Sequence, residues 1–337
     1  MGVFAHGILF SVVTQNTFMV DWFVSDLHRK ILIIYNPNAG KGKGLKYAEG
    51  LQRRLGQHGI LVAEKFCSGS FETMREFHAS IAGNKNDYSL IVIIGGDGTI
   101  GPQVDAMIKN NTNVPIYPLG RGTANDFSSY LKTNVSVKKA ARIIADGKVA
   151  NADTLKINMP NNKNEVNYAI SDAAGGAFTN GVTHYKGKKI FGKLAYVAQA
   201  GWQALWMKAQ RVKFTIDDES FEERVFLFYI LNTKNVGGIK GAGAHAKVDD
   251  GILDFVCIKK CRLWGKFWVG ISALFKRIHK SKRVIYKQGK KFRVEVIGEP
   301  IYNFTKTDTD GNAGGDYPMD VEVGPKIQVV YNKKVKI

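Results

Sequence analysis

The feature that most constrains this chain is a run of aliphatic residues that ends in glycines, LIVIIGGDGT at residues 90–99. A short run that is apolar throughout is typical of a parallel strand covered on both faces. Strand, glycine-rich loop and helix alternate in this way from Ile31 to about residue 150, and two of the helices are expected at residues 71–82 and 102–109. The pattern predicts an N-terminal α/β domain with a parallel sheet.

Beyond residue 150 the pattern changes to longer strands in which apolar and polar residues alternate, interrupted by helical stretches near residues 193–208 and 263–280. The alternation predicts a mostly antiparallel, β-rich second domain, built as a sandwich or a barrel. A length of 337 residues also favours two domains. The expected units are an N-terminal extension, the α/β domain, the β-rich domain, and a C-terminal strand with a tail, at residues 1–29, 30–150, 151–325 and 326–337.

The N-terminal extension contains an uncharged stretch, GILFSVVTQNTFMV, that is too short and too polar for a membrane-spanning helix. No basic segment precedes it and no small-residue cleavage site follows it, so we do not expect a secretory signal. Met19 is an alternative start. Three cysteines are too few for a disulfide framework, and we expect free thiols in a reducing cytoplasm at Cys67, Cys257 and Cys261.

The chain is strongly basic, with 48 Lys and Arg against 29 Asp and Glu and a formal net charge of +19. Such a charge attracts anionic partners, which are nucleic acids, acidic lipid surfaces or phosphorylated metabolites. The sequence contains no recognised DNA- or RNA-binding motif, so we expect no specific nucleic-acid partner.

Three glycine-rich loops follow predicted strands: NPNAGKGKG at residues 36–44, GGDGT at 95–99 and PLGRGTAND at 118–126. Such loops bind phosphate through backbone N–H groups, and open parallel sheets bind ligands at their carboxyl edge. The fingerprints GxGxxG and GxxxxGK[ST] are both absent from the sequence. Asp97 would repel a phosphate unless a cation lies between them, so we expect it to face Mg²⁺ on a nucleotide. The alternative is a glycine turn whose acid caps a helix.

Together, GGDGT, NPNAGK and PLGRGTANDF resemble the motifs of the bacterial diacylglycerol kinase and lipid kinase family, and the similarity runs from Ile31 to about Val330. GGDGT alone is shared with NAD kinases and phosphofructokinases, whereas GTANDF after PLG is the lipid kinase version. The resemblance implies an NAD kinase-like fold that binds ATP and Mg²⁺ in a cleft between the two domains. It also implies transfer of the γ-phosphoryl group to a hydroxyl of diacylglycerol or a related lipid, giving phosphatidic acid or its equivalent.

By the same resemblance, Lys41 neutralises phosphate charge, and Ser68, next to Cys67, stands near a position where the family has threonine. Lys193, in FGKLAYV, corresponds to a lysine that faces the cleft, and an exposed lysine at the start of a helix is the alternative. The residues implied to bind the nucleotide are Asn36, Pro37, Asn38, Ala39, Gly40, Ser68, Gly95, Gly96, Asp97, Gly98, Thr99, Gly122, Thr123, Asn125 and Asp126.

AKVDDGILDF resembles the family stretch in which one aspartate and two backbone carbonyls hold a structural magnesium. The matching groups are the side chain of Asp250 and the carbonyls of Lys247 and Ile252. Taken from the residues alone, a DDG turn between two strands indicates a hairpin rather than a metal site.

KTDTDGNAGGDYPMDVEV resembles the family's DGExGGxxP stretch, whose acids receive the proton of the lipid hydroxyl. Asp310 matches, but Asn312 stands where the family has glutamate. An amide cannot accept that proton, so we assign Asp310 as the base, with Asp316 and Asp320 as nearby carboxylates. Two alternatives stay open, a soluble-substrate kinase of the NAD kinase type and a weakly active or non-catalytic nucleotide-dependent lipid binder. The expected catalytic residues are Lys41, Asp97, Lys193 and Asp310.

Residues 259–293 carry many lysines and arginines and no acidic residue. Tryptophan beside basic residues suits an anionic bilayer interface, so we expect peripheral membrane contact of a cytoplasmic protein through this segment. The alternative is a core helix with a solvated basic end, and the oligomeric state stays open and compatible with a homodimer. The apolar residues at the spacing of one helical face are Trp264, Phe267, Trp268, Ile271, Leu274, Phe275 and Ile278.

Overall fold

A computed structural model describes residues 30–69, 71–82, 88–146, 148–162, 166–176 and 207–332. The N-terminal extension, the helix expected near residues 193–208 and the tail at residues 333–337 lie almost entirely outside these ranges. Two large sheets organise the described residues, one of six strands and one of eleven. The predicted combination of an α/β half and a β-rich half is therefore confirmed.

The elements alternate strictly in the first half of the chain and are mostly strands in the second. The α/β half contains β1 (Lys30–Tyr35), α1 (Gly44–Gly56), β2 (Val62–Cys67), α2 (Phe71–Ala82), β3 (Tyr88–Gly95), α3 (Asp97–Lys109), β4 (Ile116–Gly120), α4 (Asp126–Tyr130), α5 (Val137–Asp146) and β5 (Lys148–Ala152). The β-rich half contains β6 (Leu155–Asn158), β7 (Val166–Ala169), β8 (Asp172–Gly175), β9 (Gln210–Ile216), β10 (Glu219–Leu231), β11 (Asn235–Val236), β12 (Ile239–Lys240), β13 (Leu253–Lys259), α6 (Leu263–Leu274), β14 (Val284–Gly289), β15 (Lys291–Val296), β16 (Thr307–Thr309), β17 (Asn312–Ala313) and β18 (Met319–Val323). The last strand is β19 (Ile327–Tyr331).

The six-stranded sheet has the order β2-β1-β3-β4-β19-β5. Its first five strands run parallel, and the edge strand β5 runs antiparallel to β19. Helices cover both faces, which explains why the strands are apolar throughout. Successive side chains of β1 point to opposite faces, so Ile31 and Ile33 pack with α1 and α5, whereas Leu32 and Ile34 pack with α3 and α4.

The eleven-stranded sheet is antiparallel, with the main order β17-β16-β8-β10-β9-β15-β18-β6-β7. β13 pairs with both β10 and β14 beside this path. β10 is long, at 13 residues, and pairs with β9 through its first half and with β8 and β13 through its second half, which allows the sheet to curl. The core that it encloses is largely aromatic, with Phe214, Phe228, Phe255 and Phe304 all 1% exposed or less.

The chain crosses between the two halves at two adjacent points. Gly324 N–H donates to Thr154 O at 2.7 Å, and Thr154 Oγ1 donates to Pro325 O at 2.7 Å. β19 then completes the first sheet by pairing with β4 and β5. The first sheet therefore includes a strand from the far end of the chain, which ties the two halves together.

Two further expectations concern the whole chain. The three cysteines are free thiols, as predicted, and burial raises the pKa of Cys257 well above its usual range. Across the described ranges, no helix combines the length and the apolar character that crossing a bilayer requires.

Candidate active site

The structure brings together the loops that follow β1, β3 and β4. Asn36 Nδ2 donates to Thr99 Oγ1 at 2.9 Å. Gly40 N–H donates to Arg121 O at 2.8 Å, and Arg121 N–H donates to Gly95 O at 2.6 Å. Three segments that are far apart in sequence therefore form one connected rim at the carboxyl edge of the first sheet.

Two glycines in this rim pack backbone against backbone. A Cβ on Gly122 would lie 2.5 Å from Gly96 Cα, and a Cβ on Gly96 would lie 2.9 Å from Gly122 Cα. Side chains at either position would push the two loops apart. Part of the glycine pattern in GGDGT and GRGT is thus explained by the contact between the loops themselves.

Asn125 shapes the loop that follows β4. Its Oδ1 accepts a hydrogen bond from Gly122 N–H at 2.6 Å, and its Nδ2 donates to Gly122 O at 2.8 Å. The residue has a left-handed φ of 56°, a conformation that asparagine adopts more readily than most residues. These two bonds fix the backbone on either side of Thr123, which is exposed on the rim.

Asp97 is the first residue of α3, and its carboxylate links the second loop to the third. Oδ2 accepts a hydrogen bond from Asp126 N–H at 2.9 Å, and Oδ1 accepts one from Phe127 N–H at 3.3 Å. Burial raises the pKa of Asp97, and these N–H groups work against the increase. The acid therefore satisfies the N-terminus of α4, a structural role that leaves its predicted contact with Mg²⁺ open.

Asp126 lies close to Asp97 and is 4% exposed. Burial and the negative charge of Asp97 raise the pKa of Asp126 to about 7. Both of its carboxylate oxygens accept long hydrogen bonds, each 3.4 Å, from Gly238 N–H in the β-rich half. The charge of Asp97 thus influences the ionisation of Asp126 where the two halves of the molecule meet.

Asp310 comes from the β-rich half and packs onto the first turns of α3. A Cβ on Gly101 would overlap Asp310 Oδ2, and a Cβ on Gly98 would lie 3.7 Å from Asp310 O. Three backbone N–H groups donate to the carboxylate, Ile170 to Oδ2 at 2.9 Å and Ser171 and Asp172 to Oδ1 at 2.8 Å and 3.2 Å.

The ionisation of Asp310 reflects two opposing effects. Burial raises its pKa, the three N–H donors lower it, and the charge of Asp97 raises it again. Because Asp310 is only 4% exposed, burial dominates and the pKa rises to about 7. A carboxylate with such a pKa gains and loses its proton near neutral pH.

Two further carboxylates, Asp172 and Asp308, belong to this cluster and were missed by the sequence-based assignment. Burial raises the pKa of Asp308 to about 6 and that of Asp172 well above its usual range, where the charges of Asp308 and Asp310 add to the effect. Asp310 N–H donates to Asp172 O at 3.2 Å. Two signals were available in the sequence: an acid inside the apolar strand AISDAAG, and the spacing of two residues between Asp308 and Asp310.

Asn312 lies in β17 and, unlike Asp310, is exposed. A Cβ on Gly98 would lie 3.3 Å from Asn312 Oδ1, so the amide faces the GGDGT segment. At the two positions that match acids of the family motif, this chain therefore has a buried carboxylate that is hydrogen-bonded and an exposed amide.

A cavity of about 540 Å³ opens beside Asp310. One wall is the start of α3, and the opposite wall is formed by residues before and within β7, by the end of β16 and by the segment that follows β16. Its lining mixes polar and apolar surface, and its polar residues include Asp105, Asn161, Asn162, Asn167, Tyr168 and Asn312. The cavity is large enough for a small polar group to reach Asp310.

The loop after β1 also carries the residues predicted to bind nucleotide on that side. Pro37, Asn38 and Lys41 are exposed, whereas Ala39 is buried. Gly40 and Lys41 have positive φ angles of 58° and 64°, which turn the chain sharply before α1. Lys41 is thus displayed to solvent on the rim.

Ser68 and Lys193 are predicted residues that belong to none of the three glycine-rich loops in the sequence. Ser68 follows β2, and its N–H donates to Tyr35 O at 2.9 Å, which places it beside the end of β1. Lys193 lies outside the described residues.

The two carboxylates named as neighbours of Asp310 have other partners. Asp316 forms an ion pair with Lys306 at 2.8 Å, and Asp320 forms one with Arg293 at 2.9 Å. Both pairs are at least one-third exposed, so these acids are separate from the buried cluster around Asp310.

The rim offers oxygen donors that fit a magnesium ion bound together with a nucleotide. Asp97 and Asp126 supply carboxylates, the ligand type that Mg²⁺ prefers. Within the ranges that the structure describes, no three His, Cys, Asp or Glu side chains are arranged to hold an ion by themselves. A magnesium ion bound with a nucleotide is usually held by one or two carboxylates together with phosphate oxygens and water.

The turn at residues 247–252 packs against the crossing between the two halves. Asp250 is exposed, and its Oδ1 accepts a hydrogen bond from Ile252 N–H at 3.1 Å. Gly251 N–H donates to Asp153 Oδ2 at 2.7 Å. The predicted magnesium ligands Lys247, Asp250 and Ile252 thus lie in a tight turn, and the metal assignment stays a prediction.

Comparison with known proteins identifies related families for both halves of the chain. The family model described as the diacylglycerol kinase catalytic domain matches residues 30–157, and the model described as the YegS C-terminal NAD kinase beta sandwich-like domain matches residues 168–331. A Staphylococcus epidermidis protein named diacylglycerol kinase is 26% identical over 300 residues, covering 87% of this chain and 89% of the relative. A Bacillus subtilis protein of the same name is 26% identical over 321 residues, covering 91% and 97%.

Solved structures show the same fold. A crystal structure of a diacylglycerol kinase from Bacillus anthracis str. Sterne superposes with a TM-score of 0.66 at 19% identity, covering 91% of this chain and 98% of the other. A second crystal structure from that organism gives a TM-score of 0.74 at 21% identity, covering 91% and 97%. The two family models cover both halves of the molecule, and the chain belongs to the bacterial diacylglycerol kinase and lipid kinase family, with an NAD kinase-like fold.

Proposed function

We propose that the chain is an ATP-dependent lipid kinase that transfers the γ-phosphoryl group to a hydroxyl of diacylglycerol or a related lipid. The bond from the γ-phosphorus to its bridging oxygen breaks, a bond to the lipid oxygen forms, and the hydroxyl proton passes to Asp310. The products are ADP and a phosphorylated lipid, which for diacylglycerol is phosphatidic acid. Family membership supports the reaction type, and the relatives named diacylglycerol kinase support the acceptor.

One contact carries this proposal: Asp310, from the β-rich half, lies against α3 directly behind the GGDGT segment. Phosphoryl transfer depends mainly on holding donor and acceptor in line and on stabilising charge. A phosphate-binding rim on one half and a carboxylate from the other half supply such an arrangement.

Nucleotide binding is assigned to the rim. Its backbone N–H groups bind phosphate oxygens, and Lys41 neutralises part of their charge. Asp97 and Asp126 would hold Mg²⁺, which when bound neutralises charge on the phosphate oxygens. Lys193 is proposed to face the same cleft.

A second, structural magnesium is proposed at the turn of residues 247–252. There the carboxylate of Asp250 and the carbonyls of Lys247 and Ile252 would provide hard oxygen ligands. Because this turn packs on Asp153, at the crossing between the halves, an ion there would stiffen the junction.

The role of base is assigned to Asp310. A pKa of about 7 suits a group that must be ionised in the free enzyme and accept a proton during the reaction. Its three N–H donors fix its orientation, and each carboxylate oxygen has a further lone pair for the hydroxyl proton. Asn312, exposed beside it, is proposed to orient the lipid hydroxyl.

The acceptor is proposed to enter through the cavity beside Asp310. The polar side chains in its mixed lining suit a glycerol head group with a free hydroxyl, while acyl chains would stay outside. A substrate of this kind lies in a membrane and ATP is cytoplasmic, so we place the enzyme in the cytoplasm at a membrane surface.

The proposal is tested by incubating the purified chain with γ-labelled ATP, Mg²⁺ and mixed micelles, each containing one hydroxyl-bearing lipid. Diacylglycerol, monoacylglycerol, ceramide and phosphatidylglycerol form the panel, with glycerol and NAD in parallel. The expected result is labelled lipid from diacylglycerol or a related acceptor. Label on NAD or glycerol without any labelled lipid would show a soluble-substrate kinase instead.

A second candidate function follows from Asn312. If the exposed position facing Gly98 is where the base must act, this chain is a weakly active or non-catalytic nucleotide-dependent lipid binder. Tight binding of ATP and lipid without measurable transfer would favour that function.

A further inference from the structure

An exposed aromatic surface lies on and just after α6. Nine large hydrophobic side chains are strongly exposed within the described residues, and five of them lie between residues 263 and 275. We call these five the aromatic surface: Leu263 (62% exposed), Trp264 (75%), Phe267 (53%), Trp268 (54%) and Phe275 (71%).

The aromatic surface is not needed for the core. The opposite side of α6 carries Val269, which is 6% exposed and packs with Val256 and Ile278. Gly265 is also buried, and a Cβ there would lie 2.8 Å from Cys261 Cβ, so the helix sits close to the protein on that side. The core-helix alternative therefore fails for the aromatic residues, although it holds for Val269 and Ile278.

The charged residues of the segment that carries this surface are all basic. Residues 259–293 contain no acidic residue, and in the described part of the chain no ion pair engages the lysines and arginines named next. The exposed cationic residues nearest the aromatic surface in sequence are Lys260, Arg262, Lys276, Arg277, Lys280 and Lys282.

We propose that the aromatic surface inserts into an anionic bilayer, with the flanking lysines and arginines among the lipid head groups. Tryptophan and phenylalanine favour the boundary between head groups and acyl chains, and long basic side chains reach back to the phosphates. Anionic lipids add attraction for each basic residue.

Charge also favours a bilayer over a second copy of the chain as the partner of the aromatic surface. A two-fold symmetric contact would place the same patch on both partners, so that two positively charged surfaces would meet. An anionic lipid surface instead complements the charge and accepts the apolar side chains.

The aromatic surface is joined to the active-site rim by one hairpin. α6 contacts β12, and a Cβ on Gly241, next to β12, would lie 3.0 Å from Lys276 Cβ. In the same hairpin, between β11 and β12, Gly238 N–H donates to the carboxylate of Asp126. Membrane contact through α6 would therefore hold the third glycine loop close to the bilayer. That the substrate is drawn from this bilayer rests on the proposed function, whereas membrane binding itself does not.

The test is co-sedimentation of the full chain with vesicles of phosphatidylcholine, with or without phosphatidylglycerol. Trp264→Ser combined with Trp268→Ser should weaken binding to the anionic vesicles by about tenfold or more. The matched control is Leu61→Ser combined with Tyr302→Ser, which removes equally exposed apolar side chains elsewhere (62% and 68% exposed) and should leave binding unchanged.

Charge reversal gives an independent pair of variants. Lys280→Glu combined with Lys282→Glu should weaken binding to phosphatidylglycerol vesicles about tenfold or more, and should reduce its dependence on salt. Lys138→Glu combined with Lys139→Glu changes the net charge equally on the exposed side of α5 and should have a much smaller effect.

Several results would overturn the proposal. One is failure of the wild-type chain to sediment with anionic vesicles, and another is unchanged binding by the double tryptophan variant. A change from dimer to monomer in that variant, with vesicle binding intact, would identify an interface between copies. Loss of oligonucleotide binding, again with vesicle binding intact, would identify a nucleic-acid surface.

Activity measurements separate this proposal from the proposed function. The double tryptophan variant should lose phosphorylation of long-chain diacylglycerol in vesicles but keep wild-type phosphorylation of a short-chain diacylglycerol dissolved as monomers. Equal losses on both substrates would contradict a membrane role. A wild-type chain that sediments with vesicles but phosphorylates neither lipid would support the membrane surface and contradict the lipid kinase.

Discussion

Asp310 Oδ2 occupies the space that a Cβ on Gly101 would need. Gly101 lies in α3, the helix that begins with Asp97 of the GGDGT segment, and Asp310 is held by backbone N–H groups of residues 170–172. Helix α3 and the candidate base are thus in direct contact. A side chain at Gly101 should therefore displace Asp310 Oδ2, the oxygen that accepts the hydrogen bond from Ile170 N–H.

Gly101→Ala should lower both activity and stability. In an open helix this change would stabilise the protein by up to about 1 kcal/mol, but here the new methyl group must displace an anchored carboxylate, at a cost of about 1–3 kcal/mol. We expect at least about a tenfold loss of lipid phosphorylation, since small displacements of catalytic groups cost up to about 10²-fold.

The control for this change is Gly50→Ala in α1, where a Cβ would make only an ordinary contact, 3.7 Å from Val137 Cγ1. Thermal unfolding and initial rates are measured on both variants. Full activity in Gly101→Ala would show that Asp310 moves freely and has no positioning role.

Asp172→Asn should stabilise the protein at high pH. Burial and the charges of Asp308 and Asp310 raise the pKa of Asp172 in the folded state above its unfolded value. The folded state therefore holds more protons, so the free energy of unfolding falls as pH rises from the unfolded pKa of about 4 through the raised folded pKa. The amide removes this loss.

The check on Asp172→Asn is the difference in melting temperature between variant and wild type, measured from pH 4 to pH 9. The difference should grow in favour of the variant as pH rises. A constant difference would mean that the pKa of Asp172 is not raised in the folded state.

The rate of lipid phosphorylation should depend on an ionisation near pH 7. The pKa of Asp310 is raised to about 7, and the carboxylate must be ionised to accept a proton, so activity should fall as the pH is lowered through this value. Well below it, the rate should drop about tenfold for each pH unit. A rate that stays constant from pH 8 to pH 5 would show that no group with this pKa acts as base.

Asn312→Glu should have little effect on turnover if Asp310 is the base. The new carboxylate would be exposed and would face Gly98, where it restores the family motif. We expect a gain of less than about tenfold, well below the ~10²–10⁴ that a general base contributes. A larger gain in the steady-state rate would mean that the native base is missing at position 312.

The first sheet could be predicted because strands covered on both faces are apolar throughout, and the helix predicted at residues 71–82 is found as α2. The start of α3 was predicted wrongly at Pro102, since proline favours the first turn of a helix, whereas α3 begins at Asp97. Hydrogen bonds of the glycine loop extend the helix backwards, for example Ile100 N–H to Gly96 O at 3.0 Å. Local preference does not reveal such bonds.

The candidate site also has features that the sequence predicts and features that it does not. Glycine loops after strands indicated the rim, because that pattern is local and repeated three times. The meeting of Asp172, Asp308 and Asp310 depends on how β8 and β16 pair, which the sequence does not specify. Periodicity placed Trp264 and Trp268 on one helical face, but it cannot tell whether that face meets protein or solvent.

The most direct test of the account is the rate of γ-phosphoryl transfer to diacylglycerol by Asp310→Asn, measured at saturating ATP and below the melting temperature of the variant. Asp316→Asn, which alters an exposed ion pair, is the control. The rate should fall by about 10²–10⁴ for Asp310→Asn, with ATP affinity retained, and should stay near wild type for the control. Wild-type transfer by folded Asp310→Asn would contradict the assignment of Asp310 as the base and the active-site arrangement built on it.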